Sequence, residues 1–246
     1  MLNGLKREVC QANLELVKAG LVLLTWGNAS GIDRERGLMV IKPSGVPYSE
    51  LTPARMVVVA MADGAVVEGR LRPSSDAPTH RVLYGAFPQV GGVVHTHSLH
   101  ATAWAQARRD LPALGTTHAD TWHEAVPCTR ALKPAEIRTD YELNTGRVIV
   151  ERLAGLDPLG CPGVLVASHG PFTWGRSVAD AVEHSIVLEF VAQLATESLR
   201  LRPGLSAMPA VLRDQHYFRK HGPGATYGQT APPPPKRHGR QPNRPS

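Results

Sequence analysis

The stretch Met56-Val57-Val58-Val59-Ala60-Met61-Ala62-Asp63-Gly64-Ala65-Val66-Val67-Glu68 decides the fold. Two short apolar runs flank Asp-Gly, a dipeptide that accepts the positive φ of a tight hairpin, so the runs are read as antiparallel neighbours. Upstream, Met39-Val40-Ile41 is another short strand. Leu2 to Ala19 carries Leu5, Val9, Ala12, Leu14, Leu16 and Val17 on a broad apolar stripe that stops at Gly20, which predicts an amphipathic helix. Downstream, Ala77 to Phe87 reads as a helix and Gly91-Gly92-Val93-Val94 as a strand. Val148-Ile149-Val150 and Val164-Leu165-Val166 read as two more strands, and Val178 to Leu201 as a long helix with Ala181, Val182, Ile186, Phe190 and Leu194 at helical spacing. Hairpins mixed with helices, rather than strict βαβ alternation, predict a single αβα domain of the α/β class, with a mostly antiparallel central sheet flanked by helices. The domain is expected over residues 1–229.

Composition bounds the function. The chain has 246 residues, 42% of them hydrophobic, and a formal charge of +6. The segment 230–246 carries the run Pro232-Pro233-Pro234-Pro235 and holds Lys236, Arg237, Arg240 and Arg244 with no acid, which is +4 of that total and leaves +2 for the body. So small a surplus over a folded body argues against a nucleic-acid footprint. The tail has no hydrophobes to pack and is expected to be a disordered, Pro-rich basic appendage. No run approaches the ~20 apolar residues of a membrane span, and the start lacks a signal-peptide core, so a cytoplasmic protein is expected. Cys10, Cys128 and Cys161 form no Cys-x-x-Cys pair and read as reduced structural thiols.

Chemistry concentrates at His95-Thr96-His97, where side-chain alternation along a strand aims both imidazoles to one side. His169 ends a second apolar run and precedes Gly170-Pro171. Three imidazoles at strand ends are candidate ligands for an open zinc site. Three loops, Thr25-Trp26-Gly27-Asn28-Ala29-Ser30, Lys42-Pro43-Ser44-Gly45 and Pro73-Ser74-Ser75-Asp76, gather hydroxyls, amides and one lysine in turns suited to a phosphate. His123 is read as a surface histidine rather than a further ligand.

These motifs, together with Gly115-Thr116-Thr117-His118-Ala119-Asp120, Ser168-His169-Gly170-Pro171-Phe172 and Tyr227-Gly228-Gln229, resemble the class II aldolase/AraD family over residues 1–229. The resemblance implies zinc held by His95, His97 and His169, with Asp76 at or near the metal. It implies a substrate pocket of Gly27, Asn28, Lys42, Ser44, Gly45, Ser74 and Ser75. It assigns acid/base roles to Asp120 and Tyr227 and implies a homotetramer with active sites between neighbours. Because a phenol ordinarily titrates near 10, zinc and nearby cations such as Lys42 or His216 are expected to help Tyr227 act. The implied activity is epimerisation at carbon 4 of L-ribulose 5-phosphate to D-xylulose 5-phosphate by retro-aldol cleavage and re-addition through a zinc-bound enediolate. The alternative within the family is an aldolase cleaving a sugar phosphate such as L-fuculose 1-phosphate. Thr121-Trp122-His123 and Leu99 depart from the epimerase pattern, and Leu156 to Cys161 is shortened.

Overall fold

The computed structural model describes residues 2–221 and 224–226. Helix α1 (Asn3–Lys18) leads into β1 (Asn28–Asp33) and β2 (Leu38–Ile41). Strands β3 (Val57–Ala60) and β4 (Val66–Glu68) follow, then α2 (Ala77–Ala86), β5 (Gly92–His95) and α3 (Leu99–Ala107). Beyond them come α4 (Thr116–Ala119), α5 (Pro134–Arg138), α6 (Tyr141–Arg152), β6 (Gly163–Leu165), β7 (Pro171–Gly175), α7 (Val178–Leu201) and α8 (Ala210–Phe218). The seven strands form one sheet in the order β4-β3-β2-β1-β5-β7-β6, and every neighbouring pair is antiparallel.

Period-two alternation builds the layers. Val40, Val58 and Val94 face α1 and α7, packing with Val9, Leu16, Ala181 and Val182. Met39, Ile41, Val57, Val59 and Val93 face the other way, onto Leu83 and Tyr84 of α2 and Ile149 of α6. The result is the expected αβα sandwich. A third cluster joins α3 to Trp122, Leu165 and the middle of α7.

The Asp63-Gly64 hairpin forms as read: Gly64 takes φ +84°, and the Ala65 N–H donates to Asp63 Oδ1 at 2.9 Å. Helix α7 begins where Ser177 and Asp180 exchange capping hydrogen bonds. One expected strand is wrong: Val148-Ile149-Val150 lies within α6. Val148 and Ile149 are buried there while Arg147 and Glu151 are exposed, so the run is the apolar face of a helix. Three β-branched residues are too few to separate the two periods.

Tyr227 and the tail 230–246 lie outside the described residues. Among the described residues, no helix is long and apolar enough to cross a membrane.

Candidate metal centre and its cavity

The site forms on one rung at the end of the sheet, where Asn28 of β1 pairs with His95 of β5 and His95 with Phe172 of β7. Between β6 and β7 the chain reverses through Ser168, which takes φ +62°, a left-handed conformation uncommon outside glycine. A Cβ on Gly170 would come within 2.8 Å of the Thr96 carbonyl. That close approach sets His169 against the strand carrying the other two histidines.

The ligating atoms of His95, His97 and His169 all lie within 4.8 Å of one another. Among the described residues, no second group of three such side chains converges in this way. The His95 ring, stacked on Phe172, decides whether the cluster fits a metal. Its Nδ1 sits 2.9 Å from the Pro171 carbonyl, which can only accept, so Nδ1 carries the proton and Nε2 is bare. His97 Nε2 stands 3.1 Å from that bare nitrogen. Burial, reinforced by His95, pushes both His97 and His169 below the usual imidazole range, which keeps them neutral. Neutral, converging nitrogen donors fit a divalent transition metal.

Asp76, at the N-terminal end of α2, accepts from Asn28 Nδ2 at 2.7 Å. Burial works to raise its pKa, but His95, His80 and the Asn28 bond outweigh that and lower it, so a carboxylate stands beside the histidines. Behind it on the same helix, buried His80 bonds through Nδ1 to the Ser30 hydroxyl at 2.7 Å, and Ser30 bonds to Tyr84.

A cavity of about 340 Å³ opens over this cluster. Its walls include every pocket and metal residue expected from the sequence: Gly27, Asn28, Lys42, Ser44, Gly45, Ser74, Ser75, Asp76, His95, His97 and His169. Thr25, Trp26, Tyr141 and Glu142 complete it, and of these Tyr141 and Glu142 carried no sequence signal. Gly27 takes φ +87°, and a Cβ there would meet the His95 carbonyl at 2.9 Å, so only glycine brings this loop down onto the rung.

Lys42 is 2% exposed. Its ammonium lies 4.8 Å from the centre of the Tyr48 ring and contacts the Thr25 and Pro43 carbonyls. Among the described residues it has no carboxylate partner, and burial lowers its pKa. A buried cation without a counterion, facing a cavity edged by hydroxyls, is suited to an anionic ligand.

Asp120 does not line this cavity. It is held by His216, Arg219 and Lys220, at and just beyond the end of α8. Burial opposes ionisation, but the hydrogen bonds from Lys220, His216 and Arg219 lower its pKa. His123 bonds to Asp214 at 2.8 Å, away from the histidine cluster, and Leu99 is exposed.

A family model described as "Class II Aldolase and Adducin N-terminal domain" matches residues 7–196. The chain belongs to this family. An L-ribulose-5-phosphate 4-epimerase UlaF of Salmonella paratyphi A is 56% identical over 228 residues, covering 93% of this chain and all of the relative. Among solved structures, an L-fuculose 1-phosphate aldolase superposes with a TM-score of 0.74 at 25% identity, over 88% of this chain and 95% of that one. YgbL from Escherichia coli, a putative aldolase/epimerase/decarboxylase, gives 0.70 at 25% identity over 87% and 98%. Class II aldolase chemistry is metal-dependent, in keeping with the histidine cluster.

Proposed function

We propose that this chain is a zinc-dependent L-ribulose-5-phosphate 4-epimerase, acting in the cytoplasm as a homotetramer. The identity of 56% across the whole length of a named epimerase carries this reading. The L-fuculose 1-phosphate aldolase, at 25% identity, is the weaker guide to substrate.

The hydrogen on carbon 4 is not adjacent to the ketone, so direct proton abstraction there is hard. Cleaving the bond between carbons 3 and 4, turning the released aldehyde and re-forming the bond inverts the centre without it. Zinc held by His95, His97 and His169, with Asp76 beside them, would supply Lewis-acid polarisation of the ketone oxygen and its neighbouring hydroxyl. Lys42, Ser44, Gly45, Ser74 and Ser75, with Gly27 and Asn28, bind the phosphate. They tether the glycolaldehyde phosphate fragment while its carbonyl rotates.

Two proton-transfer groups must face opposite sides of that aldehyde, because the carbon 4 hydroxyl loses its proton toward one and regains it from the other. The reading gives these roles to Asp120 and Tyr227. Since Asp120 stands outside the cavity of its own chain, it is assigned to the site of a neighbouring copy. Purified zinc-loaded protein incubated with L-ribulose 5-phosphate should yield D-xylulose 5-phosphate in a chelator-sensitive reaction. Cleavage of L-fuculose 1-phosphate without epimerisation would replace this reading with the aldolase.

A further inference from the structure

Tyr141 is the first residue of α6, and its ring forms part of the cavity wall. Its Oη lies 3.1 Å from His169 Nδ1, with the two rings near parallel at 27°. Because this contact uses Nδ1, Nε2 is the nitrogen His169 has left for the histidine cluster. A nitrogen that ligates a metal must be bare, so the ring proton belongs on Nδ1. His169 is then the donor and the phenol oxygen the acceptor. The phenol's own hydrogen is not consumed by this bond, and Thr145 also hydrogen-bonds the phenol.

The helix that carries Tyr141 is firmly seated. Thr79 of α2 donates to the Glu142 carbonyl at 2.6 Å. At Gly146 a Cβ would approach Val82 of α2 to 2.7 Å, so the two helices touch backbone to side chain. The same α2 has Asp76 at its N-terminal end. One packed helix pair therefore sets both the carboxylate and the phenol against the histidines.

We infer that Tyr141 is a positioning residue that holds His169 in its ligating tautomer, and that its O–H donates a hydrogen bond to an oxygen of the bound sugar phosphate. The second half rests on the function proposed above; the first needs only a metal.

Tyr141→Phe keeps the ring and removes Oη. The metal-free variant should melt with the unaltered protein, and its zinc affinity, measured by competition with a chromogenic chelator, should fall about 10- to 100-fold. At saturating zinc, KM for L-ribulose 5-phosphate should rise more than kcat falls. Unchanged zinc affinity would overturn the positioning role, and an unchanged KM would overturn the donor role. Nitrogen-labelled histidine spectra of the zinc-loaded, unaltered protein give a test that needs no variant: His169 should be protonated at Nδ1, and protonation at Nε2 would overturn the inference. If the unaltered protein failed to epimerise, the proposed function would fall while the zinc and ring-proton results stood.

Discussion

The Nε2 atoms of His95 and His97 face each other at 3.1 Å, a contact that without a metal needs the Nε2–H tautomer of His97 as donor. With His95 Nδ1 committed to the Pro171 carbonyl, a shared cation takes both Nε2 lone pairs once His97 carries its proton on Nδ1. Replacing His97 by Asn should abolish tight zinc binding. Metal bound only by the folded state contributes about 4 kcal/mol at a thousandfold excess over its dissociation constant. Zinc should therefore raise the melting temperature of the unaltered protein and not that of His97→Asn; equal shifts would show that zinc binds elsewhere.

Lys42→Met removes a buried charge that has no counterion among the described residues. The apo protein should be as stable or more so, since the desolvation cost disappears, while KM for the phosphorylated substrate rises at least about tenfold, the loss of one charge-assisted contact. A lowered KM, or severe destabilisation, would count against phosphate recognition by this residue.

If Asp120 serves a neighbouring copy, two inactive variants should rescue each other. Co-expressed Asp120→Asn and His97→Asn chains, mixed at random in closed oligomers, would recover about a quarter of the unaltered activity, because that share of sites draws both intact residues. Recovery at background level would return Asp120 to its own chain or remove it from the chemistry.

Burial pushes His80 down to about 3 and lowers His118 and His184. Each is neutral when folded, whereas the unfolded chain takes up protons near pH 6.5. The stability they contribute is complete above that pH and lost as pH falls toward the folded values, by up to about 1.4 kcal/mol per pH unit for each histidine. Urea unfolding with chelator present should show this decline, and His80→Gln should flatten it. An unchanged slope in that variant would remove His80 from the account.

Gly92→Ala would drive a Cβ to within 2.4 Å of Val178 Cα and 2.5 Å of the Ser177 carbonyl. Backbone cannot yield as a flexible side chain can, so a loss of about 2–3 kcal/mol is expected from overpacking, read as a lower urea midpoint at unchanged slope.

Legibility in the sequence followed how local the cause was. The hairpin at Asp63-Gly64, the long helix from Val178 and the His95-Thr96-His97 pair each announce themselves within a few residues. Strand β1 does not. Asn28-Ala29-Ser30-Gly31-Ile32-Asp33 has the composition of a loop, yet it lies between β2 and β5 at the centre of the sheet. Asn28 donates through Nδ2 to Asp76, and Ser30 bonds to His80 and Tyr84. At Gly31 a Cβ would meet Leu5 and Val178 at 2.7 Å. All these partners are distant in sequence. Tyr141 and Glu142 were silent for the same reason, since only α6 packed on α2 carries them to the cavity.

The pairing of β5 with β7 has a temporal consequence. His95 bonds to a carbonyl 76 positions further along the chain, so a nascent or partly unfolded polypeptide presents His95 and His97 without their third companion. Tight capture of an ion must wait until that distant pairing closes. The candidate centre is thus a timer of maturation: the rate at which refolding protein takes up a divalent metal should report how fast β5 and β7 find each other.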